Sequence, residues 1–152
     1  MTKKIQIIKS TGEITVLDTA PSLAQMQEIV GGYIEHVRVL DRIEDGRFIY
    51  TSMYVNERGL LEKLPRNSTA TVIYQRNVRA QFPDHPQPFL AASEAYRKSV
   101  EAKGFSYIDG TPQDAKDQGY DADPYVVGGV IHFAGYTIDE VAALYEAMEG
   151  GQ

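Results

Sequence analysis

The chain has 152 residues, 21 acidic against 15 basic side chains, a formal net charge of −6 and no cysteine. That length is enough for a single domain over residues 1–152 with one real core, while the acidity disfavours generic nucleic-acid binding, which draws on a basic surface. Lack of cysteine excludes disulfides, thiolate nucleophiles and cysteine-ligated zinc.

The opening "MTKKIQIIKS" has the charge of a signal peptide but too short an apolar run, broken by Gln6 and Lys9. No later segment approaches the ~20 apolar residues of a membrane helix, so a cytoplasmic protein without membrane association is expected. "KKIQIIKSTGEITVLD" predicts two strands around Ser10-Thr11-Gly12, with Ile5, Ile7 and Ile8 before the turn and Ile14, Val16 and Leu17 after it. "APSLAQMQEIVGG" predicts a helix started by Pro21 and Ser22, carrying Leu23, Met26, Ile29 and Val30 at helical spacing, and ended by Gly31-Gly32.

"YIEHVRVLDRIEDGRFIYTSMYV" predicts a second hairpin, with Asp45-Gly46 inside a connection longer than a minimal two-residue turn. "RGLLEKLP" suggests one short helical turn that stops before Pro65. "NSTATVIYQRNV" fits either a helix capped at Asn67 or a strand through Val72, Ile73 and Tyr74, and we favour the helix. Residues 81–124 change character: three prolines in "QFPDHPQP", then the helical composition of "FLAASEAYRKSVEAKG", then a polar, glycine-bearing stretch. They are expected to form an inserted helical and loop segment or flap. "YVVGGVIHFAG" predicts a largely buried strand broken at Gly128-Gly129. "TIDEVAALYEAMEGG" predicts a closing helix with a Thr137/Glu140 capping box and a stripe of Val141, Leu144, Tyr145 and Met148. Hairpins and helices without regular alternation indicate an α+β fold, in which antiparallel hairpins form a sheet packed by helices.

The chemistry-bearing residues are sparse. Gly31-Gly32 follows a helix rather than opening one, the reverse of a phosphate-binding loop. Gly128-Gly129 marks a bulge or the close approach of a neighbouring strand. His36, His85 and His132 are scattered without metal-ligand spacing, and each is read as structural. Asp121 and Asp123 in "YDADP" lack the further ligands of a calcium loop and are read as a solvated turn. No hydrolase signature surrounds any serine or threonine. We therefore assign no catalytic residue, metal ligand or cofactor, and an enzyme is the less favoured reading. A hydrolase using Glu35, Glu57 and a histidine is the least favoured of all.

"LPRNSTAT" is the exception. A helix starting after Asn67, capped by Asn67 or Ser68, turns its first amides outward, Arg66 adds a cation, and Ser68 and Thr69 add hydroxyls, a set that suits phosphate or carboxylate. Tyr33, Tyr54 and Tyr74 supply candidate stacking faces for a base. A capped helix with one solvated arginine is the plainer reading beside it.

"VGGYIEHVRV", "MYVNERGLLEKLPRNSTAT" and "YVVGGVIHFAG" together resemble the DUF3846 family, found largely in bacteriophages and other mobile elements. The matching elements fall at Gly31 to Glu35, Asn56 to Leu60, Leu64 to Asn67 with Ala70, and Val126 to Val130. The resemblance implies a small phage-type accessory protein of a bacterial host cell and brings no activity or catalytic residues with it. The expectation is a non-enzymatic binder of a small nucleotide-like anion, with sequestration of a host immune signal as the role that setting suggests. The alternative is an inhibitor whose acidic surface meets a host protein. Tyr107, Ile108, Tyr120 and Tyr125, near the inserted segment, serve either the domain core or a subunit contact, and we lean to a homo-oligomer.

Overall fold

The computed structural model describes residues 2–59, 61–81 and 125–150. The chain divides into two compact units, Met1–Ile73 with Tyr125–Gln152, and Tyr74–Pro124. The expected flap lies, apart from Gln81, outside the described residues, as do His85, Asp121 and Asp123.

The fold is α+β. Strands β1 (Lys4–Ile8), β2 (Ile14–Leu17), β3 (Ile34–Glu44), β4 (Arg47–Asn56) and β5 (Val130–Ala134) form one sheet in the order β2-β1-β5-β4-β3. Every neighbouring pair is antiparallel. The described helices are α1 (Leu23–Val30), α2 (Ser68–Gln81) and α3 (Ile138–Gly150).

Local sequence explains most of these boundaries. Ser22 Oγ accepts the Gln25 amide while Gln25 Oε1 accepts the Ser22 amide, so the capping box that starts α1 uses a glutamine. Thr137 and Glu140 form the same reciprocal pair at α3. Between β3 and β4 the connection is shorter than expected. Asp45 and Gly46 are the whole turn, with φ of 49° and 76°. Two left-handed residues match the strands' right-handed twist, which is why Asp-Gly closes this hairpin without extra residues. The expected helical turn at "RGLLEKLP" is a hydrogen-bonded turn, in which the Glu62 amide donates to Arg58 O and the Leu64 amide to Gly59 O. The last predicted strand is shorter too: β5 begins at Val130, after Gly128 bends the chain at φ 75°.

Register sorts side chains between the two sheet faces, because successive residues of a strand alternate. Ile5 lies opposite Phe133, and Tyr54 opposite Ile131. This face packs under α1 and α3 through Met26, Val30 and Val141, with Leu144 and Tyr145 at its border. Each fully buried aliphatic or aromatic side chain here contributes about 1.5–3 kcal/mol. The opposite face carries Gln6, Ile8, Met53, Val130 and His132, all buried.

Candidate functional site

Segments from distant parts of the sequence, among them the end of β1 at Ile8 and the Val126–Gly128 stretch, meet at the start of α2. Asn67, 0% exposed, is their centre. Its Oδ1 accepts the Ala70 amide at 3.1 Å and so caps the helix. Its Nδ2 donates to Ile8 O and to Gly128 O, both at 2.9 Å. Its backbone amide donates to Val126 O, and the Gly128 amide returns to Pro65 O, which makes a short antiparallel bridge between Arg66 and Val127. The Val126 amide also donates to Thr71 Oγ1 at 2.9 Å.

The bridge is tight enough to demand glycine on both sides. A Cβ on Gly59 would sit 2.7 Å from Val127 Cγ2, and one on Gly128 would sit 2.9 Å from Leu64 Cδ1. Asn56 ties in the third segment: its Nδ2 donates to Val30 O at the end of α1 and its Oδ1 accepts the Arg58 amide. The stretches around Tyr33, Asn56–Gly59, Pro65–Asn67 and Val126–Gly128 thus build one joint that fixes where α2 begins.

This joint decides what each candidate residue does. Asn67 has all three of its short side-chain bonds inside the protein, so it orients the helix. Arg66 and Ser68 are exposed and Thr69 is half-buried. The Arg66 guanidinium lies 5.2 Å from the Tyr125 ring centroid, a cation–π contact. Asn67 takes up the Ala70 amide and its carbonyl takes up the Thr71 amide, which leaves the amides of Ser68 and Thr69 as the first-turn donors without an intrahelical acceptor. Cation, two amides and a hydroxyl therefore share one helix end.

The tyrosines divide. Tyr33 is 71% exposed, and its carbonyl accepts the Glu57 amide beside Asn56. Tyr54 is half-buried among rings, 5.9 Å from Phe133, 6.4 Å from Tyr145 and 5.3 Å from His36, and burial raises its hydroxyl pKa. It packs the sheet face under α1 and α3. Tyr74 belongs to the second compact unit, where it is half-buried. Sequence reasoning did not place Tyr125 beside Arg66, since 58 residues separate them and only the bridge at Val127 brings them together.

The described histidines sit on different sheet faces. His132 Nδ1 meets Gln6 Nε2 at 2.8 Å in the buried interior. His36 Nε2 meets Ser52 Oγ at 2.8 Å. Glu35 faces Val55 and His36 faces Tyr54, so these adjacent residues point to opposite sides of β3 and do not converge. Among the described residues no three His, Asp or Glu side chains gather to hold a metal, and no helix is long and apolar enough to cross a membrane.

His36 makes a pH-dependent contribution. Burial lowers its pKa from 6.5, so the unfolded chain takes up the proton first as pH falls. Stability is therefore unaffected by His36 above 6.5 and declines as pH drops through 6.5 toward the lower folded value. Denaturant unfolding across this range should show the decline, and His36→Gln, which keeps a partner for Ser52, should flatten it.

The family model described as "Domain of unknown function (DUF3846)" matches residues 2–85. The chain belongs to the DUF3846 family. The matched region runs from β1 through α2, so it includes Gly32, Asn56, Gly59 and Asn67, whereas the Val126–Gly129 side of the joint lies beyond it. Comparison with curated proteins and with solved structures finds no match.

Proposed function

We propose that this DUF3846 protein is a non-enzymatic binder of a small anionic, nucleotide-like ligand, held at the start of α2. The observation that carries the reading is the division of labour across Arg66 to Thr69. Asn67 is buried and bonded into the fold, while Arg66, which lies against Tyr125, and Ser68 are exposed beside the first-turn amides. Partial positive charge at a helix N-terminus and a nearby guanidinium both favour a phosphate or carboxylate. Tyr125, against Arg66, offers a ring to the base of such a ligand, and exposed Tyr33 offers another. The phage and mobile-element setting of the family fits a protein that sequesters a host nucleotide signal.

A thermal-shift panel of cyclic and linear nucleotides and ADP-ribose derivatives tests this, with chromatography to show that the ligand is recovered intact. The expected result is a stabilising shift without turnover. Arg66→Ala should weaken binding roughly tenfold or more, since a charge-assisted bond is worth about 1.5–3 kcal/mol. No shift across the panel overturns the reading and directs attention to a host protein as partner.

A further inference from the structure

Among the described residues, one of the two sheet edges, that of β2, has a self-complementary pattern. β2 stands last in the strand order, and Ile14 and Val16 are 48% and 58% exposed upon it. No lysine or proline within Ile14–Leu17 blunts this edge, as edge strands commonly require.

Register fixes which backbone groups it offers. The Lys9 amide donates to Glu13 O, and Lys9–Glu13 continues the ladder in which Ile8 faces Ile14 and Ile7 faces Thr15. Bonded and non-bonded pairs alternate along antiparallel strands. Glu13, Thr15 and Leu17 therefore turn their backbone groups to β1. Ile14 and Val16 turn theirs outward.

We infer that β2 is a homodimer contact, pairing antiparallel with the β2 strand of a second copy about a twofold axis through Thr15. In that register Ile14 lies opposite the partner's Val16, and Val16 opposite the partner's Ile14. Every outward N–H and C=O of these two residues then finds an acceptor or donor. Shifting the axis to Ile14 sets Val16 against a turn glycine, Gly12, and shifting it to Val16 sets Ile14 against Asp18. Only the Thr15-centred register satisfies both residues and keeps apolar against apolar. It also prolongs a buried row, because Ile8, which pairs with Ile14, is fully buried. The two five-stranded sheets become one continuous antiparallel sheet.

A four-residue strand makes a small interface, so the dimer is weak and concentration-dependent. Sedimentation equilibrium should show the mass rising from 16.9 kDa toward twice that across the micromolar-to-millimolar range. Val16→Pro removes an outward donor without touching the β1 ladder, a position where edge strands tolerate proline. It should weaken the dimer by about tenfold with the Tm kept, since two interchain bonds are lost. Thr15→Cys gives a second readout in a cysteine-free chain. A non-bonded pair at the axis stands about 4.5 Å apart between Cα atoms, within disulfide reach, so this variant should oxidise to a covalent dimer much faster than exposed Val72→Cys. A wild-type mass that stays monomeric throughout, or equal cross-linking of the two cysteine variants, overturns the inference.

Discussion

Asn67→Ala should destabilise the protein by about 2–4 kcal/mol, a helix cap of about 1 kcal/mol plus about 1–3 kcal/mol for a buried carbonyl that loses its donor. That carbonyl is Gly128 O, whereas Ile8 O, the other acceptor of Asn67, also faces β5 in the pair of Ile8 with Val130, and Asn67 is completely buried between the two. For a chain of this length the Tm should fall by roughly 10 °C. Asn67→Asp separates the two roles. The carboxylate keeps an acceptor for the Ala70 amide but turns an oxygen toward two carbonyl oxygens, so it should do no better than alanine. Urea unfolding of wild type and both variants measures this, and an Asn67→Asp protein of near wild-type stability would contradict the assigned bonds.

Phe133→Ala should cost about 3–5 kcal/mol for a different reason, the cavity left by a fully buried aromatic ring. Phe133 has 0% exposure and touches Tyr54, Tyr136 and Tyr145 edge-on at centroid distances near 6 Å. Its carbonyl also accepts Thr51 Oγ1 at 2.6 Å, a bond the substitution leaves in place. Phe133→Leu should recover more than half of the loss, because most of the apolar volume returns. No apolar replacement should do the same at Asn67. Equal rescue at both positions would mean that the joint is held by packing and not by hydrogen bonds.

The elements legible in the sequence were those encoded by neighbours. Thr137 and Glu140 are three residues apart, Ser22 precedes an amphipathic run, and Gly31 ends it at φ 81°, so local chemistry sufficed for both helices. The Asp45-Gly46 turn was visible, but its length was not, because hydrophobic alternation alone did not show how far Ile43 and Phe48 continue the pairing. Asn67 was legible as a cap and not as a joint. Its partners Ile8 and Gly128 lie 59 and 61 residues away, and no local pattern reports a bond of that span. Tyr54 was equally opaque: Met53 and Tyr54 alternate between faces, and only the register with β5 tells which face α1 and α3 cover. Arg66 and Ser68 are exposed at the start of α2, and the position of that start needs only the local helix pattern.

Amide chemical shifts of Ser68 and Thr69 during titration with the best nucleotide from the panel test the central claim most directly. These two amides should move first and furthest, Arg66→Ala should shift the movement to roughly tenfold higher ligand concentration or beyond, and the spectrum of the folded protein should otherwise be kept. Saturable binding that leaves both amides in place and persists in Arg66→Ala would contradict it.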